Sequence, residues 1–245
     1  MARPLGHKGR FAVAYLVLGA AVGAGLGTFI VLLQRPGPKP PTPWSSWQPA
    51  ANTIGATAQA IASHIGGAYR LGDGRQLARV VLEAPPPAAA KVEAIALANG
   101  SSLTGLYDPG KTILYTLCGE TKSCALKGQI SIARGDVLKR ETLELALYTL
   151  KYTPSDGVAG VAVFFPPGTG EKAPTNVFFF SRADLKTQLK HPLRVTLPQP
   201  SPPRPGHLNQ RELQTIDQLT SGHRYSFGVQ TANGGRRVLV LQPVA

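Results

Sequence analysis

Two cysteines lie close together and carry the clearest chemistry in this sequence. Cys118 and Cys124 enclose five residues, Gly-Glu-Thr-Lys-Ser. In an oxidising compartment this spacing predicts a disulfide that closes a short loop between two strands. Free thiols are the second interpretation. A redox or metal role is favoured least, because the spacing is not C-x-x-C and no helix N-terminus follows to stabilise a thiolate.

A pair of carboxylates is the next candidate for chemistry. Glu141 and Glu144 lie three residues apart in a predicted helix and therefore share a face. Two carboxylates on one face can support acid–base catalysis or bind a metal ion. Lys139, Arg140 and Lys151 lie nearby, so we favour an ordinary exposed face with salt bridges. A hydrolase or transferase that uses this pair is the alternative.

The remaining polar residues form no recognisable catalytic pattern. The five histidines are scattered and make no H-x-x-x-H or H-E-x-x-H motif. No G-x-S-x-G nucleophile motif or P-loop is present, and no motif is specific enough to indicate a family. We therefore assign no catalytic, cofactor-binding or metal-binding residue. Enzymatic activity is left uncertain, and a non-catalytic protein is favoured.

The N-terminal region contains a long apolar segment. Residues 11–33 include no charged residue. At about 1.5 Å per residue, a helix of that length spans the roughly 30 Å hydrocarbon core of a bilayer. A cleaved signal peptide is the alternative, but the small residues lie in the middle of the segment and the apolar sequence continues to Leu33. We predict an uncleaved transmembrane helix at 11–33, in contact with the lipid bilayer.

The charges that flank this segment predict its orientation. Arg3, Lys8 and Arg10 precede it, whereas Arg35 and Lys39 follow it. Because positive residues favour the cytoplasmic side, we expect a cytoplasmic basic tail and a C-terminal part outside the cytoplasm. The tail comprises residues 1–10.

Three glycines recur at every fourth position of the apolar segment. Gly19, Gly23 and Gly27 lie near one face of a helix and would let another helix approach closely. This spacing predicts a homodimer or packing against another membrane helix. The alternative is that the glycines only reflect the general Gly/Ala bias of the segment.

A proline-rich linker follows at residues 34–50. Six prolines in this stretch exclude a regular helix or a central strand and favour an extended spacer. Trp44 and Trp47 lie near its end. They would rest either at the membrane interface or against the folded domain, and the sequence favours neither.

The sequence pattern of residues 51–245 predicts one α+β domain with mostly antiparallel strands and about four helices. A subdivision of this domain near 198–206 is the weaker alternative. Hydrophobic periodicity, turn residues and capping motifs place its elements. Helices are expected at about 53–65, 136–152, 182–189 and 209–219. Strands are expected at 68–71, 76–82, 91–97, 112–118, 128–133, 158–165, 176–180, 225–231 and 236–242.

Composition and charge limit the classes of partner. Hydrophobic residues make up 43% and charged residues 16%, which excludes a disordered polyelectrolyte. The chain has 26 basic and 13 acidic residues and a net charge of +13. Residues 182–245 contribute nine basic and three acidic residues. An anionic component of the cell envelope is therefore a candidate partner, and nucleic acid is not expected outside the cytoplasm.

Together these features predict a single-pass membrane protein of the cell envelope with an extracytoplasmic domain for binding or assembly, without catalysis. A catalytic envelope protein is one alternative. A sensor that dimerises through its transmembrane helix is the other.

Overall fold

The chain forms two compact units, Met1–Thr42 and Pro43–Ala245. The computed structural model describes residues 7–34, 43–85, 88, 91–119, 124, 126, 131–165, 176–232 and 234–244, with side chains in the first stretch only for 11–24. The boundary between the units falls within the linker predicted at 34–50. The second unit continues through the loop at 198–206 without a further division.

The described part of the first unit is one helix, α1, His7–Gln34. Within the described residues, no helix is both long and apolar enough to cross a membrane. The transmembrane helix expected at 11–33 is therefore not found in that part of the chain.

The second unit is a mixed α+β domain, as the sequence predicts. Its eight strands form a single sheet in the order β1-β4-β5-β6-β7-β8-β2-β3. Five neighbouring pairs are antiparallel, and the pairs β4–β5 and β2–β8 are parallel. The strands are β1 Arg79–Val81, β2 Ala94–Asn99, β3 Ser102–Tyr107, β4 Thr112–Cys118, β5 Gly160–Phe165, β6 Asn176–Ser181, β7 Arg224–Thr231 and β8 Arg237–Pro243.

Four α-helices are described in this unit, which makes five with α1. They are α2 Ile54–Ala68, α3 Ile132–Tyr152, α4 Leu193–Thr196 and α5 Gln210–Thr220. Three short 3₁₀ helices occur at Pro109–Lys111, Gln188–Lys190 and Ser221–His223. The N-caps of the long helices are side chains that accept a backbone N–H: Thr53 for α2, Ser131 for α3 and Asn209 for α5.

The start of α3 corrects one expected strand. Residues 132–133, expected in a strand at 128–133, form the first turn of the helix, and residues 128–130 lie outside the described residues. The cause is local: Ser131 Oγ accepts the N–H of Arg134 at 3.2 Å and starts the helix four residues before Asp136.

Two other expectations also differ from the structure. The hairpin expected at 68–82 is reduced to one bridge between Arg70 and Gln76, because β1 pairs with β4.

The expected helix at 182–189 has its N-terminal cap, since Asp184 Oδ2 accepts the N–H of Ser181 at 2.7 Å. The cap is followed by turns and a 3₁₀ helix, so the α-helix expected at 182–189 is wrong.

The sheet separates two hydrophobic cores because alternate residues of each strand face opposite sides. On one side, strands β1, β4, β5 and β6 pack against α2 and α3. On the other side the sheet curls around its own apolar residues. Tyr107 of β3 lies 4.6 Å from Phe179 of β6, and Phe164 of β5 lies 4.9 Å from Phe227 of β7, between ring centroids. The curl thus brings strands together that are not neighbours in the sheet.

Two adjacent glycines near the end of α2 give a test of this packing. A Cβ built on Gly66 would lie 2.8 Å from Cγ2 of Val80, whereas nothing lies within 4 Å of a Cβ on Gly67. We expect Gly66→Ala to lower the free energy of unfolding, because overpacking costs about 1–3 kcal/mol and the gain in helix propensity is about 1 kcal/mol.

The matched variant Gly67→Ala keeps the propensity gain without the clash, so we expect it to stabilise the domain by up to about 1 kcal/mol. Urea unfolding followed by tryptophan fluorescence measures both. Equal effects of the two substitutions would contradict close packing of α2 on β1.

Candidate functional site

The predicted disulfide is present. Cys118, the last residue of β4, is bonded to Cys124, and their Cα atoms are 4.4 Å apart. The N–H of Gly119 donates to the carbonyl oxygen of Cys124 at 3.0 Å, so the backbone closes the same loop. Residues 120–123 lie outside the described residues.

The two candidate carboxylates on α3 have different surroundings. Glu144 is half-buried, and its Oε2 accepts from Arg140 Nη1 at 2.8 Å and from Tyr69 Oη at 2.6 Å. Glu141 is fully buried. The exposed, salt-bridged face expected for this pair is therefore wrong for Glu141. The structure does not bring the two carboxylates together in an open cleft, as a shared acid–base role would need.

Neither oxygen of the Glu141 carboxyl has a hydrogen-bond partner among the described residues. Burial raises the pKa of this carboxyl well above its usual range, and the neighbouring charge of Glu144 raises it further. An unpaired carboxylate in the core is costly, so the neutral acid is the stable form in the folded domain.

Arg140 connects the helices around this site. Its guanidinium is buried and donates from Nε to Glu212 Oε1 of α5 at 2.7 Å. From Nη1 it donates to Tyr69 Oη at 2.6 Å as well as to Glu144, and from Nη2 to the carbonyl oxygen of Gln199 at 2.9 Å. The helix start at residue 209 was expected from the sequence, but the partner of the Glu212 carboxylate was not, because Arg140 lies 72 residues away.

Both linker tryptophans pack on the folded domain, which decides between the two locations that the sequence left open. The Trp44 ring makes edge contacts with Tyr148 and Tyr152, with centroids 5.3 and 5.7 Å apart. The Trp47 ring stacks on His64 at 3.9 Å. The end of the linker is therefore attached to α2 and α3 and belongs to the domain.

One face of the sheet is apolar and has no described helix packed across it. We call this the outer face. It is formed by β3, β2 and β8, and its residues are Leu103, Leu106, Ala96, Ala98, Val238 and Val240. Leu103 and Leu106 are 62% and 65% exposed.

A bulge brings both leucines to the outer face. Residues three apart in a strand normally face opposite sides. Here Leu106 pairs with Ala96 and Leu103 with Ala98, so Thr104 is left out of the register. The Thr104 hydroxyl donates to the carbonyl oxygen of Leu97 at 3.0 Å. This local shift explains why β3 was not predicted: its apolar residues do not alternate.

The glycine stripe lies within α1. Nothing lies within 4 Å of a Cβ built on Gly19 or Gly23, and the side-chain position of Gly27 lies outside the described residues. The packing role of these glycines stays a prediction.

Comparison with known proteins identifies no relative, since no family model, curated protein or solved structure matches this chain. Within the described part of the chain, no group of three or more His, Cys, Asp or Glu residues is placed to hold a metal ion. The function is therefore argued from the geometry of the domain itself.

Glu141 predicts a dependence of stability on pH. The unfolded carboxyl ionises above pH ~4.5, whereas the folded carboxyl stays protonated, so folding takes up a proton and stability falls as pH rises. We expect Glu141→Gln, which cannot ionise, to be more stable than the wild type at pH 7. The difference should grow by about 1.4 kcal/mol per pH unit above pH ~4.5, until the folded carboxyl ionises.

Urea unfolding of both proteins between pH 4 and 8 measures this difference, and Glu93→Gln, at an exposed carboxylate, is the control. A stability difference that does not vary with pH would show that Glu141 is not held neutral.

Proposed function

We propose that this chain is a single-pass membrane-anchored protein whose extracytoplasmic domain serves assembly in the cell envelope, and that it acts without catalysis. The observation that carries this proposal is the outer face of the sheet. On this face Ala96 is buried and Val238 and Val240 are half-buried, whereas Leu103 and Leu106 are exposed. Large exposed apolar side chains on one face are unfavourable in water and are characteristic of an interaction surface.

The anchor is proposed from the sequence of α1. Residues 11–33 contain no charged residue, and a helix of this length matches the roughly 30 Å hydrocarbon core. The flanking basic residues favour a cytoplasmic N-terminus. The same orientation accounts for the disulfide, because such bonds persist in oxidising compartments.

The occupant of the outer face in this proposal is a second copy of the chain. The six residues that form the face carry no charge, so two copies can meet about a two-fold axis without opposing like charges. Strands β2 and β8 are apolar on both sides, a pattern typical of strands that are covered on both sides. Two copies tethered in one bilayer share an orientation and a high effective concentration, which favours this contact.

The catalytic alternative is less well supported. It relied on Glu141 and Glu144 acting together on a substrate. Glu141 is enclosed in the core and Glu144 is engaged by Arg140 and Tyr69. Neither carboxylate is placed to act on a bound molecule in this arrangement.

Photo-crosslinking tests the dimer directly. With Leu106→benzoylphenylalanine in the full chain in native membranes, we expect a crosslinked product of twice the protomer mass. The matched control is Val195→benzoylphenylalanine in α4, which is equally exposed at 65% but lies outside the outer face. It should give no such product.

A crosslinked product of another mass at Leu106 would show that a different protein covers the outer face. No product at Leu106, or equal products at both positions, would show that the face is not an interface between copies. Either result would overturn the homodimer.

The orientation is tested independently. We expect a reporter that is active only outside the cytoplasm to be active when fused after Ala245, because the positive residues at 1–10 retain the N-terminus inside. Activity of a cytoplasmic reporter at the same position would reverse the proposed topology, and recovery of the full chain in the soluble fraction would remove the anchor.

A further inference from the structure

A repeated pair of residues marks the segment between β6 and α5. A leucine followed by a lysine or an arginine recurs at every fourth position. The leucines of this repeat, with one more at the next fourth position, lie in or against the larger hydrophobic core: Leu185, Leu189, Leu193 and Leu197. The basic residues that follow the first three leucines are exposed: Lys186, Lys190 and Arg194. We call these three residues the basic stripe.

The leucines fix the orientation of the basic stripe, because the backbone of this segment is irregular. One turn is closed by the N–H of Leu189, which donates to the carbonyl oxygen of Leu185 at 3.0 Å. A second turn is closed by the N–H of Leu197, which donates to the carbonyl oxygen of Leu193 at 2.8 Å. Pro192 interrupts the backbone between the two turns. Burial of the four leucines therefore keeps the neighbouring cations on the surface.

No acidic residue of the segment balances the charge of the basic stripe. Residues 185–211 contain five Lys and Arg residues and no Asp or Glu. None of the three stripe residues forms an ion pair within the described part of the chain. Asp184, just before the segment, accepts the N–H of Ser181 at 2.7 Å and lies 3.9 Å from Nδ1 of His223. Exposed cations without counterions are typical of a surface that attracts an anionic partner.

The basic stripe lies beside the start of the domain. The N–H of Leu193 donates to the carbonyl oxygen of Trp44 at 2.7 Å, and Trp44 is the second residue of the unit that begins at Pro43. Lys151 of α3 adds a cation at this place. Its Nζ donates to the carbonyl oxygen of Leu189 at 3.0 Å and lies 5.7 Å from the centroid of the Trp44 ring.

We infer that the basic stripe binds the anionic headgroups of a lipid bilayer. The surface potential of an anionic bilayer attracts nearby lysine and arginine side chains. Val195 follows Arg194 and is 65% exposed. An exposed apolar residue beside cations favours a bilayer over a fully polar anionic polymer, because it can enter the boundary between headgroups and acyl chains.

This inference rests on the proposed anchor. A few exposed charges bind lipid weakly, and attachment to the same bilayer supplies the effective concentration that such a contact needs. It does not rest on the proposed dimer, since the basic stripe shares no residue with the outer face.

Photo-crosslinking in lipid nanodiscs tests the contact. The full chain with Val195→benzoylphenylalanine is reconstituted in nanodiscs of phosphatidylcholine, with or without phosphatidylglycerol, and adducts with lipid are measured by intact mass. We expect adducts with phosphatidylglycerol in the mixed nanodiscs and a much lower yield in phosphatidylcholine alone. Higher ionic strength should lower the yield, because salt screens exposed charges.

Two double variants in the same chain separate the stripe from the total charge. Lys186→Gln with Lys190→Gln should lower the yield of phosphatidylglycerol adducts about fivefold or more, since one basic residue at an anionic surface changes affinity by about that factor. Lys91→Gln with Lys111→Gln is the matched control, because both lysines are exposed and lie outside the stripe. It should leave the yield unchanged.

The outcomes distinguish the stripe from the anchor. Equal yields in the two kinds of nanodisc, no lipid adduct in either, or equal losses in the two double variants would overturn the inference. The anchor would stand in each of these cases, because the chain is still recovered in the nanodiscs. A chain that enters neither kind of nanodisc would overturn the anchor and the inference together.

The same photo-crosslinker in native membranes distinguishes lipid from protein. An adduct of Val195→benzoylphenylalanine with a second polypeptide, in place of lipid, would show that a protein covers the basic stripe. That result would also overturn the inference.

Discussion

The buried guanidinium of Arg140 constrains much of the arrangement of the helical layer. A buried charge is tolerated only when ion pairs and hydrogen bonds compensate for its lost hydration. Arg140 meets this requirement with partners from three separate segments: Tyr69 after α2, Gln199 in the loop before α5, and Glu212 in α5. Because displacement of any of them would leave donors unpaired in the core, the positions of α2, α3 and α5 are coupled through one side chain.

The curled sheet explains why the domain has both a stable core and an exposed apolar face. The half of the sheet formed by β1, β4, β5 and β6 lies between the helices and the inside of the curl, so it is covered on both sides. The half formed by β7, β8, β2 and β3 is covered on the inside only, in the described part of the chain. This asymmetry leaves Leu103 and Leu106 of the outer face exposed, at the end of the strand order opposite to β1 and β4.

Much of the fold could be predicted where the signal is local. The strand at 112–118, the hairpin formed by β7 and β8, and the cap at Asn209 all follow from alternation, turn residues and short capping motifs. The disulfide was also predictable, because its two cysteines are close in sequence. The bulge at Thr104 was not, since the apolar residues of β3 lose their alternation there. The helix expected at about 53–65 continues to Ala68, and Gly66 within it allows the close approach of Val80.

The sequence by itself determined the class of the domain, the proline-rich linker and the cysteine pair, because periodicity and composition act over a few residues. Only the tertiary structure decided that Glu141 is enclosed with no hydrogen-bond partner among the described residues, and that Glu144 and Glu212 share Arg140. Burial and charge pairing depend on which distant segments pack together, and neither residue type nor spacing along the chain carries that information.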